Sequence, residues 1–289
     1  MEGDRPHRSG ERGAILVAIQ PPTPAYAPGF ADGDVVRLRD ELGRAVVNSE
    51  FEVHYQPQVK LKDRVTTGAE ALLRWRHPAR GLIFPEGFIS VLERSQWALS
   101  VGQWVIGTAC ADAAAAAKAG GHPLRVSINL SPAQFSRGGV VAMIAECLSR
   151  CGLRSEFFEA EIGEDGVQVN DDATIADLAA LRELGCPVAF GGYGIGFASL
   201  SMLKRYPLTR LKIDQSFVRN IARSAKDLAI VDTVVSLGHN LGLRVTAQGI
   251  ETLDQEELLR DRGCEEGQGV LYGRPVPISE LRVGPIPDR

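Results

Sequence analysis

The sequence lacks the features of three common protein classes. Its five cysteines, at positions 110, 147, 151, 186 and 264, include no CxxC pair and are odd in number, so neither a zinc site nor a disulfide framework is expected. No window approaches the run of about 18 apolar residues that a membrane span needs, so we expect no membrane partner. A basic excess is also missing, because 32 Lys and Arg stand against 36 Asp and Glu, which argues against a nucleic-acid-binding protein.

What remains is a 289-residue chain of ordinary globular composition, 44% apolar and 24% charged. Residues 1–33, rich in Gly, Pro and Arg, are predicted to form a flexible tail before a single domain at 34–289. A secretory signal is the alternative for this tail, since arginines precede the apolar run GAILVAI. That run is short, and prolines interrupt the path to any cleavage site, so we expect a cytoplasmic protein.

Short apolar runs of β type alternate with longer helical patterns along the rest of the chain. This alternation predicts a mainly parallel sheet, and eight strands favour a closed TIM-like (β/α)8 barrel. Only Lys60–Arg64 separates the first two strands, too few residues for a parallel crossover, so the first strand should be antiparallel. The predicted strands are Phe51–Val59, Val65–Trp75, Leu124–Leu130, Phe157–Ile162, Pro187–Gly191, Arg210–Asp214, Leu243–Ala247 and Gly267–Tyr272. The predicted helices are Val35–Asn48, Pro85–Glu93, Trp104–Ala119, Val140–Cys151, Ala173–Leu184, Ser199–Arg205, Asp227–Leu241 and Glu256–Arg262.

Polar residues recur where these strands end. Because active sites of α/β barrels lie at the carboxyl ends of the strands, such residues predict a mouth suited to metal and phosphate. The alternative is that strands end in polar residues simply because they reach water. The residues in question are Glu70, Asn129, Glu161, Lys212, Gln248 and Gln268.

Six motifs follow one another along the chain: YQPQV (55–59), AEALLRWRHP (69–78), SINLSP (127–132), LKID (211–214), AQGIET (247–252) and GCEEGQGVLYGRP (263–275). In this order and spacing they resemble the motifs of an EAL domain, and the resemblance covers about residues 35–282. The family comprises cyclic di-GMP phosphodiesterases and their inactive relatives. The resemblance implies an α/β barrel with an antiparallel first strand. Active members resemble two-metal enzymes that use Mg²⁺ or Mn²⁺.

The resemblance also assigns roles to individual side chains. It implies metal ligation by Glu70, Asn129 and Glu161, with Glu164 steadying the following loop. Lys212 would orient the attacking water or offset phosphate charge. The residues expected to bind the dinucleotide are Gln56, Glu70, Leu72, Arg74, Asn129, Gln268 and Pro275. A homodimer contact is implied for Tyr193–Arg205, which the sequence alone does not decide.

Two departures from the family pattern affect the chemistry. The family motif D-D-F-G-T-G reads GGYGIG here, so Gly191 and Gly192 replace two metal-binding aspartates. The family A-E-G reads AQG, so the catalytic glutamate is replaced by Gln248, whose amide cannot act as a base. A lesser change places Gly163 where the family has threonine. Glu70, Lys212 and Gln248 are therefore interpreted as remnants of a catalytic site, with no tightly bound cofactor expected.

Two kinds of function follow from this interpretation. The favoured one is a non-hydrolysing receptor or adaptor in cyclic di-GMP signalling, which binds the dinucleotide or an unidentified protein partner. The alternative is a weakly active phosphodiesterase that uses Mg²⁺ or Mn²⁺ and releases linear pGpG.

Overall fold

Eight strands in the described part of the chain close into a barrel, as the sequence predicts. The computed structural model describes residues 32–120, 124–136, 138–163, 172–194 and 200–286. The barrel strands are β1 (Phe51–Lys60), β2 (Val65–His77), β4 (Arg125–Asn129), β5 (Phe158–Gly163), β6 (Val188–Tyr193), β7 (Arg210–Ile213), β8 (Arg244–Gln248) and β9 (Glu266–Gln268). They pair in the order β1-β2-β4-β5-β6-β7-β8-β9, and β9 returns to β1. A short strand, β3 (Gly81–Ile83), extends β2 outside the barrel.

The first strand runs against both of its neighbours. β1 pairs antiparallel with β2 and with β9, whereas the remaining barrel pairs are parallel. The short Lys60–Arg64 connection forces this arrangement, because a parallel crossover needs a dozen or so residues. The predicted antiparallel first strand is therefore confirmed.

Helices cover the outside of the barrel. They are α1 (Asp32–Val47), α2 (Ile89–Glu93), α3 (Ala98–Gly120), α4 (Pro132–Ser136), α5 (Val140–Cys151), α6 (Asp172–Glu183), α7 (Leu200–Arg205), α8 (Gln215–Arg219), α9 (Ala225–Asn240) and α10 (Leu253–Asp261). Local chemistry sets several ends. Thr252 and Gln255 form a capping box at the start of α10, and Gly152 ends α5 in the left-handed conformation. None of the helices within the described ranges combines the length and apolar character needed to cross a bilayer.

Some predicted bounds were wrong. The last strand was predicted as Gly267–Tyr272 but ends at Gln268, because Tyr272 and Gly273 donate backbone hydrogen bonds to the carbonyl of Gly269 and the chain turns. The segment predicted as one helix, Pro85–Glu93, is a 3₁₀ turn at Pro85–Gly87 followed by α2. The short elements β3, α4 and α8 were not predicted.

The predicted tail and the predicted homodimer segment both lie partly outside the described residues. Of the predicted flexible tail at 1–33, the structure describes only the end, where α1 begins at Asp32. Of the predicted homodimer segment Tyr193–Arg205, residues 195–199 are not described. Both stay predictions.

Four charged side chains form a buried layer inside the lower half of the barrel. Arg210 donates to Glu159 at 2.8 Å and to Glu266 at 2.9 Å, and Arg125 donates to Glu266 at 2.7 Å. Burial alone would raise the pKa of Glu159, but Arg125, Arg210 and Lys212 lower it to about 2. Two cations thus balance two anions in the buried interior of the barrel.

Breaking this layer should destabilise the fold strongly. Replacing Glu266 with leucine would leave Arg125 and Arg210 sharing one carboxylate, and loss of one buried partner typically costs about 3–5 kcal/mol. Urea unfolding followed by circular dichroism measures the change. The control is Lys60→Ala, which removes an exposed pair with Asp63 and should leave the free energy of unfolding nearly unchanged. Equal losses in the two variants would contradict the assigned role of the layer.

Candidate functional site at the barrel mouth

Strand register brings most of the predicted site residues to one end of the barrel. In the sheet, Gln56 lies opposite Glu70 and Asn129 lies opposite Glu161. On the other side, Gln248 lies opposite Gln268, next to β1. Because the parallel strands all present their carboxyl ends here, side chains separated by up to 212 positions in sequence meet.

Glu70 is the centre of a hydrogen-bond network. Its Oε1 accepts from Asn129 Nδ2 at 2.8 Å, and its Oε2 accepts from Gln268 Nε2 at 2.8 Å and from Lys212 Nζ at 3.3 Å. Gln268 also donates to Gln56 Oε1 at 3.0 Å. Burial raises the pKa of Glu70, but Lys212 and the two amide donors outweigh that effect and lower it. Glu70 is therefore a charged carboxylate whose two oxygens are already engaged.

Lys212 supplies the positive charge of the network. Its side chain is fully buried, and its ammonium donates to Glu161 as well as to Glu70. Burial lowers the pKa of Lys212, but the carboxylates of Glu161, Glu70 and Glu159 more than offset this and raise it. Burial and the charge of Glu70 raise the pKa of Glu161 to about 7, against the attraction of Lys212. Lys212 therefore offsets one of the two carboxylate charges, and the raised pKa of Glu161 lessens the other.

Glu161 fills the space beside Gly191. A Cβ atom built on Gly191 would lie 2.6 Å from Glu161 Oε1, closer than real contacts allow. The next residue, Gly192, has a φ of +67°, where β6 shifts register against β7 between Phe190 and Tyr193. A side chain at either position would require a local change, in the first case movement of Glu161 and in the second an unfavourable backbone conformation.

The mouth itself is a cavity of about 360 Å³ above this network. Five predicted residues line it: Gln56, Glu70, Leu72, Gln248 and Gln268. Three further lining residues, Asp214, Gln215 and Glu251, were not among the predicted site residues. The motifs pointed to two of these residues, because Asp214 ends the LKID motif and Glu251 lies in AQGIET.

The remaining predicted residues lie at or beyond the edge of the site. The Arg74 guanidinium stacks 5.0 Å from the ring centre of Phe84, and its Nη1 donates to the carbonyl of Leu73 at 2.9 Å. The carbonyl oxygen of Pro275 lies 3.3 Å from Nδ1 of His54. Glu164 lies outside the described residues.

The donor set does not fit the pair of divalent cations that the family resemblance implies. Mg²⁺ and Mn²⁺ take hard oxygen ligands, so two ions need several carboxylates with free oxygens. Glu70 already accepts three hydrogen bonds, and Glu161 is paired with Lys212. Among the described residues, no three Asp, Glu, His or Cys side chains are placed so that they could hold an ion.

The buried layer of Arg125, Glu159, Arg210 and Glu266 was also not predicted, although the spacing of these residues along the strands indicates it. Glu159, Arg210 and Glu266 each precede a predicted site residue by two positions, and Arg125 precedes Asn129 by four. Since strand side chains alternate with a period of two, these residues share the interior face with the site. They form the floor on which it rests.

Comparison with known proteins supports one family. The profile of the family described as EAL domain matches residues 39–275. The chain is 37% identical over 246 residues to the cyclic di-GMP phosphodiesterase NbdA of Pseudomonas aeruginosa, covering 85% of this chain and 31% of that protein. It is 35% identical over 246 residues to the bifunctional diguanylate cyclase/cyclic di-GMP phosphodiesterase MucR of the same organism, covering 85% and 36%. The chain thus spans about a third of the length of these curated relatives.

Solved structures agree with the sequence comparison. The cyclic di-GMP complex of the PaMucR phosphodiesterase superposes with a TM-score of 0.81 at 35% identity, covering 85% of this chain and all of that one. The EAL enzyme Bd1971, in its form bound to cAMP and cyclic di-GMP, gives a TM-score of 0.82 at 32% identity, covering 85% and 67%. With the family profile matching most of its length and the same barrel in these relatives, the chain belongs to the EAL domain family.

Proposed function

We propose that this chain is a non-hydrolysing EAL domain that binds cyclic di-GMP without metal and acts as a receptor or adaptor in cyclic di-GMP signalling. One observation carries the metal-free, non-hydrolysing part of the proposal. The inner carboxylates of the mouth, Glu70 and Glu161, are both engaged by the buried ammonium of Lys212 instead of offering free oxygens to divalent ions.

Loss of hydrolysis follows from the side chains that are present. Gly191 and Gly192 offer no carboxylates, and Gln248 cannot accept a proton as a general base. Removing a base typically costs about 10²–10⁴ in rate, and losing the charge of the ions costs several kcal/mol more. Because these groups act as a unit, the losses do not simply add, and we expect a deficit of at least about 10⁴-fold.

Ligand binding is supported by the charge of the mouth and by its rim. A cluster of unbalanced carboxylates would repel the two phosphates of cyclic di-GMP, but Lys212 balances part of that charge here. Asp214 and Glu251 line the rim, where a carboxylate can accept from the N–H groups of a guanine edge. The relatives PaMucR and Bd1971 have been solved with cyclic di-GMP, and the same binding is proposed for this chain.

A weakly active phosphodiesterase is the second candidate. The names of the relatives NbdA and MucR favour it, since both are called phosphodiesterases at 37% and 35% identity. It would require Mg²⁺ or Mn²⁺ to displace Lys212 from Glu161 or to use other oxygen donors. An adaptor that contacts only a protein partner is the remaining variant of the first proposal.

Hydrolysis is tested by comparing the unmodified protein with a variant that restores the residues of the family motifs. With excess Mn²⁺, the unmodified protein should convert no measurable cyclic di-GMP to the linear dinucleotide, as followed by chromatography. The triple variant Gly191→Asp/Gly192→Asp/Gln248→Glu should gain activity, although the Glu161 clash and the φ of Gly192 will keep it below an intact relative. The matched control is Gly191→Ala/Gly192→Ala/Gln248→Glu. It introduces the same Cβ contact at position 191 and the same backbone strain at position 192 without the two aspartates, and it should stay inactive. Clear turnover by the unmodified protein would overturn the proposal.

The binding prediction concerns the metal-free state. Isothermal titration in EDTA should detect cyclic di-GMP binding at micromolar concentrations. Leu72→Ala should weaken it about 10-fold, since Leu72 is a half-buried apolar side chain on the cavity wall. The exposed Leu184→Ala serves as the matched control and should bind like the unmodified protein. Absence of heat at high micromolar ligand would refute dinucleotide binding and leave the protein-adaptor variant.

A further inference from the structure

An apolar groove lies at the end of α1, between that helix, the start of β1 and α3. Its volume is about 170 Å³. Among the described residues, none that lines it is charged, and none belongs to the predicted dinucleotide-binding set or to the wall of the mouth. We call it the α1 groove. Its lining residues are Val46, Ser49, Phe51, Ser100, Val101 and Trp104.

The way in which α1 ends opens this groove. Ser49 has a φ of 55°, in the left-handed region, and the N–H of Glu50 donates to the carbonyl of Ala45 at 2.9 Å. These are the features of a Schellman motif, which ends a helix and turns the chain away from its axis. Val46, in the last turn of the helix, and Phe51, at the first position of β1, therefore line the same space from either side of the turn.

Two large apolar side chains at this place contact water. Trp104 on α3 is 41% exposed, and Val47, the last residue of α1, is 76% exposed. A single exposed apolar residue needs no explanation, but Trp104 lines a groove that is itself apolar, and Val47 follows Val46 of its wall. An aliphatic segment that covered the groove would remove this surface from water, which is favourable.

The size and charge of the groove select its occupant. Sites for drug-sized molecules begin at about 300 Å³, so this smaller groove suits one or two aliphatic side chains. The chain carries an uncharged aliphatic run, GAILVAI, at residues 13–19, before the first described residue. The sequence alone suggested only a secretory signal for this run. The α1 groove offers it a second role.

The run is close enough along the chain to reach the groove. Residues 20–31 separate it from α1, and four of these twelve residues are proline. A proline-rich stretch can extend about 3.1 Å per residue, which gives about 37 Å for the connection. The way back along α1, which has 16 residues, is about 24 Å at a rise of about 1.5 Å per residue. The connection is therefore long enough to span the helix.

We propose that residues 13–19 bind the α1 groove of the same chain through their aliphatic side chains. Their lack of charge matches a groove without charged walls, and the proline-rich connection supplies the reach. The predicted flexible tail is then limited to the residues on either side of this contact. The proposal is independent of whether the mouth binds a dinucleotide, because the groove and the mouth share no described lining residue.

Trp104 reports whether the groove is covered. In the full chain labelled with 5-fluorotryptophan, ¹⁹F NMR gives a signal for each of the three tryptophans, and Trp104→Phe identifies the signal of Trp104. The solvent isotope shift of that signal between H₂O and D₂O measures its contact with water. Leu16→Asp/Val17→Asp places charges in the run and should increase this shift. Thr23→Asp/Ala27→Asp, the matched control, adds the same charge to the connection and should leave the shift as in the unmodified protein.

A labelled peptide tests the contact from the side of the groove. A fluorescein-labelled peptide of residues 11–21 should bind the Leu16→Asp/Val17→Asp protein saturably in anisotropy titrations. It should bind the unmodified protein less tightly, because the run of the chain itself competes. Adding Trp104→Lys to the Leu16→Asp/Val17→Asp protein should abolish binding, since it removes one wall of the groove. The matched control is Leu184→Lys, because Leu184 is also 41% exposed. Circular dichroism and melting curves establish that each variant is folded.

Four results would overturn the proposal. The first is an equal isotope shift of Trp104 in the unmodified and the Leu16→Asp/Val17→Asp proteins, and the second is an equal increase in Thr23→Asp/Ala27→Asp. The third is the absence of saturable peptide binding up to millimolar concentration. The fourth is a protection of Trp104 that disappears on dilution, since the run would then bind a second copy. Each result can be read whether or not cyclic di-GMP binds.

Discussion

The ammonium of Lys212 lies buried in the barrel between two carboxylates, and the arrangement of the mouth depends on it. Without this cation, the buried carboxylates of Glu70 and Glu161 would face each other with no opposite charge between them. With it, Glu161 is drawn into the volume beside Gly191, where a side chain would clash. The absence of a side chain at Gly191 and the internal ion pair are thus two aspects of one arrangement.

That arrangement is rigid because it rests on a second charged layer. Arg125 donates to Gln58 at 2.8 Å, and Gln58 donates to Gln268 at 3.3 Å, so hydrogen bonds run from the lower layer to the mouth. Gln268 in turn donates to Glu70. Each of these side chains stands on a strand rather than a loop, and strand positions are held by backbone ladders on both sides. The barrel interior is therefore a polar, cross-linked core.

Sequence reasoning succeeded where periodicity and short connections decide the outcome. The eight barrel strands and the antiparallel β1 follow from alternating patterns and from the five residues Lys60–Arg64. It failed where three-dimensional contacts decide: α8 begins because the Asp214 side chain accepts from Ser216 N, and β9 ends because the chain turns at Gly269. The position of Glu161 beside Gly191 could not be predicted either, because it depends on Lys212 from a strand 51 positions away.

The predicted site residues of this mouth have two separate structural roles. Replacing Glu70 by an apolar side chain would remove an acceptor from Asn129, Gln268 and Lys212, so the fold itself needs these four side chains together. The same reasoning does not extend to Leu72, a half-buried apolar side chain that makes the mouth wall and forms no part of the network. The buried ion pairs therefore bear on the absence of metal, since the fold needs Glu70 whether or not a ligand binds, and the proposed dinucleotide binding rests on Leu72 and the acidic rim.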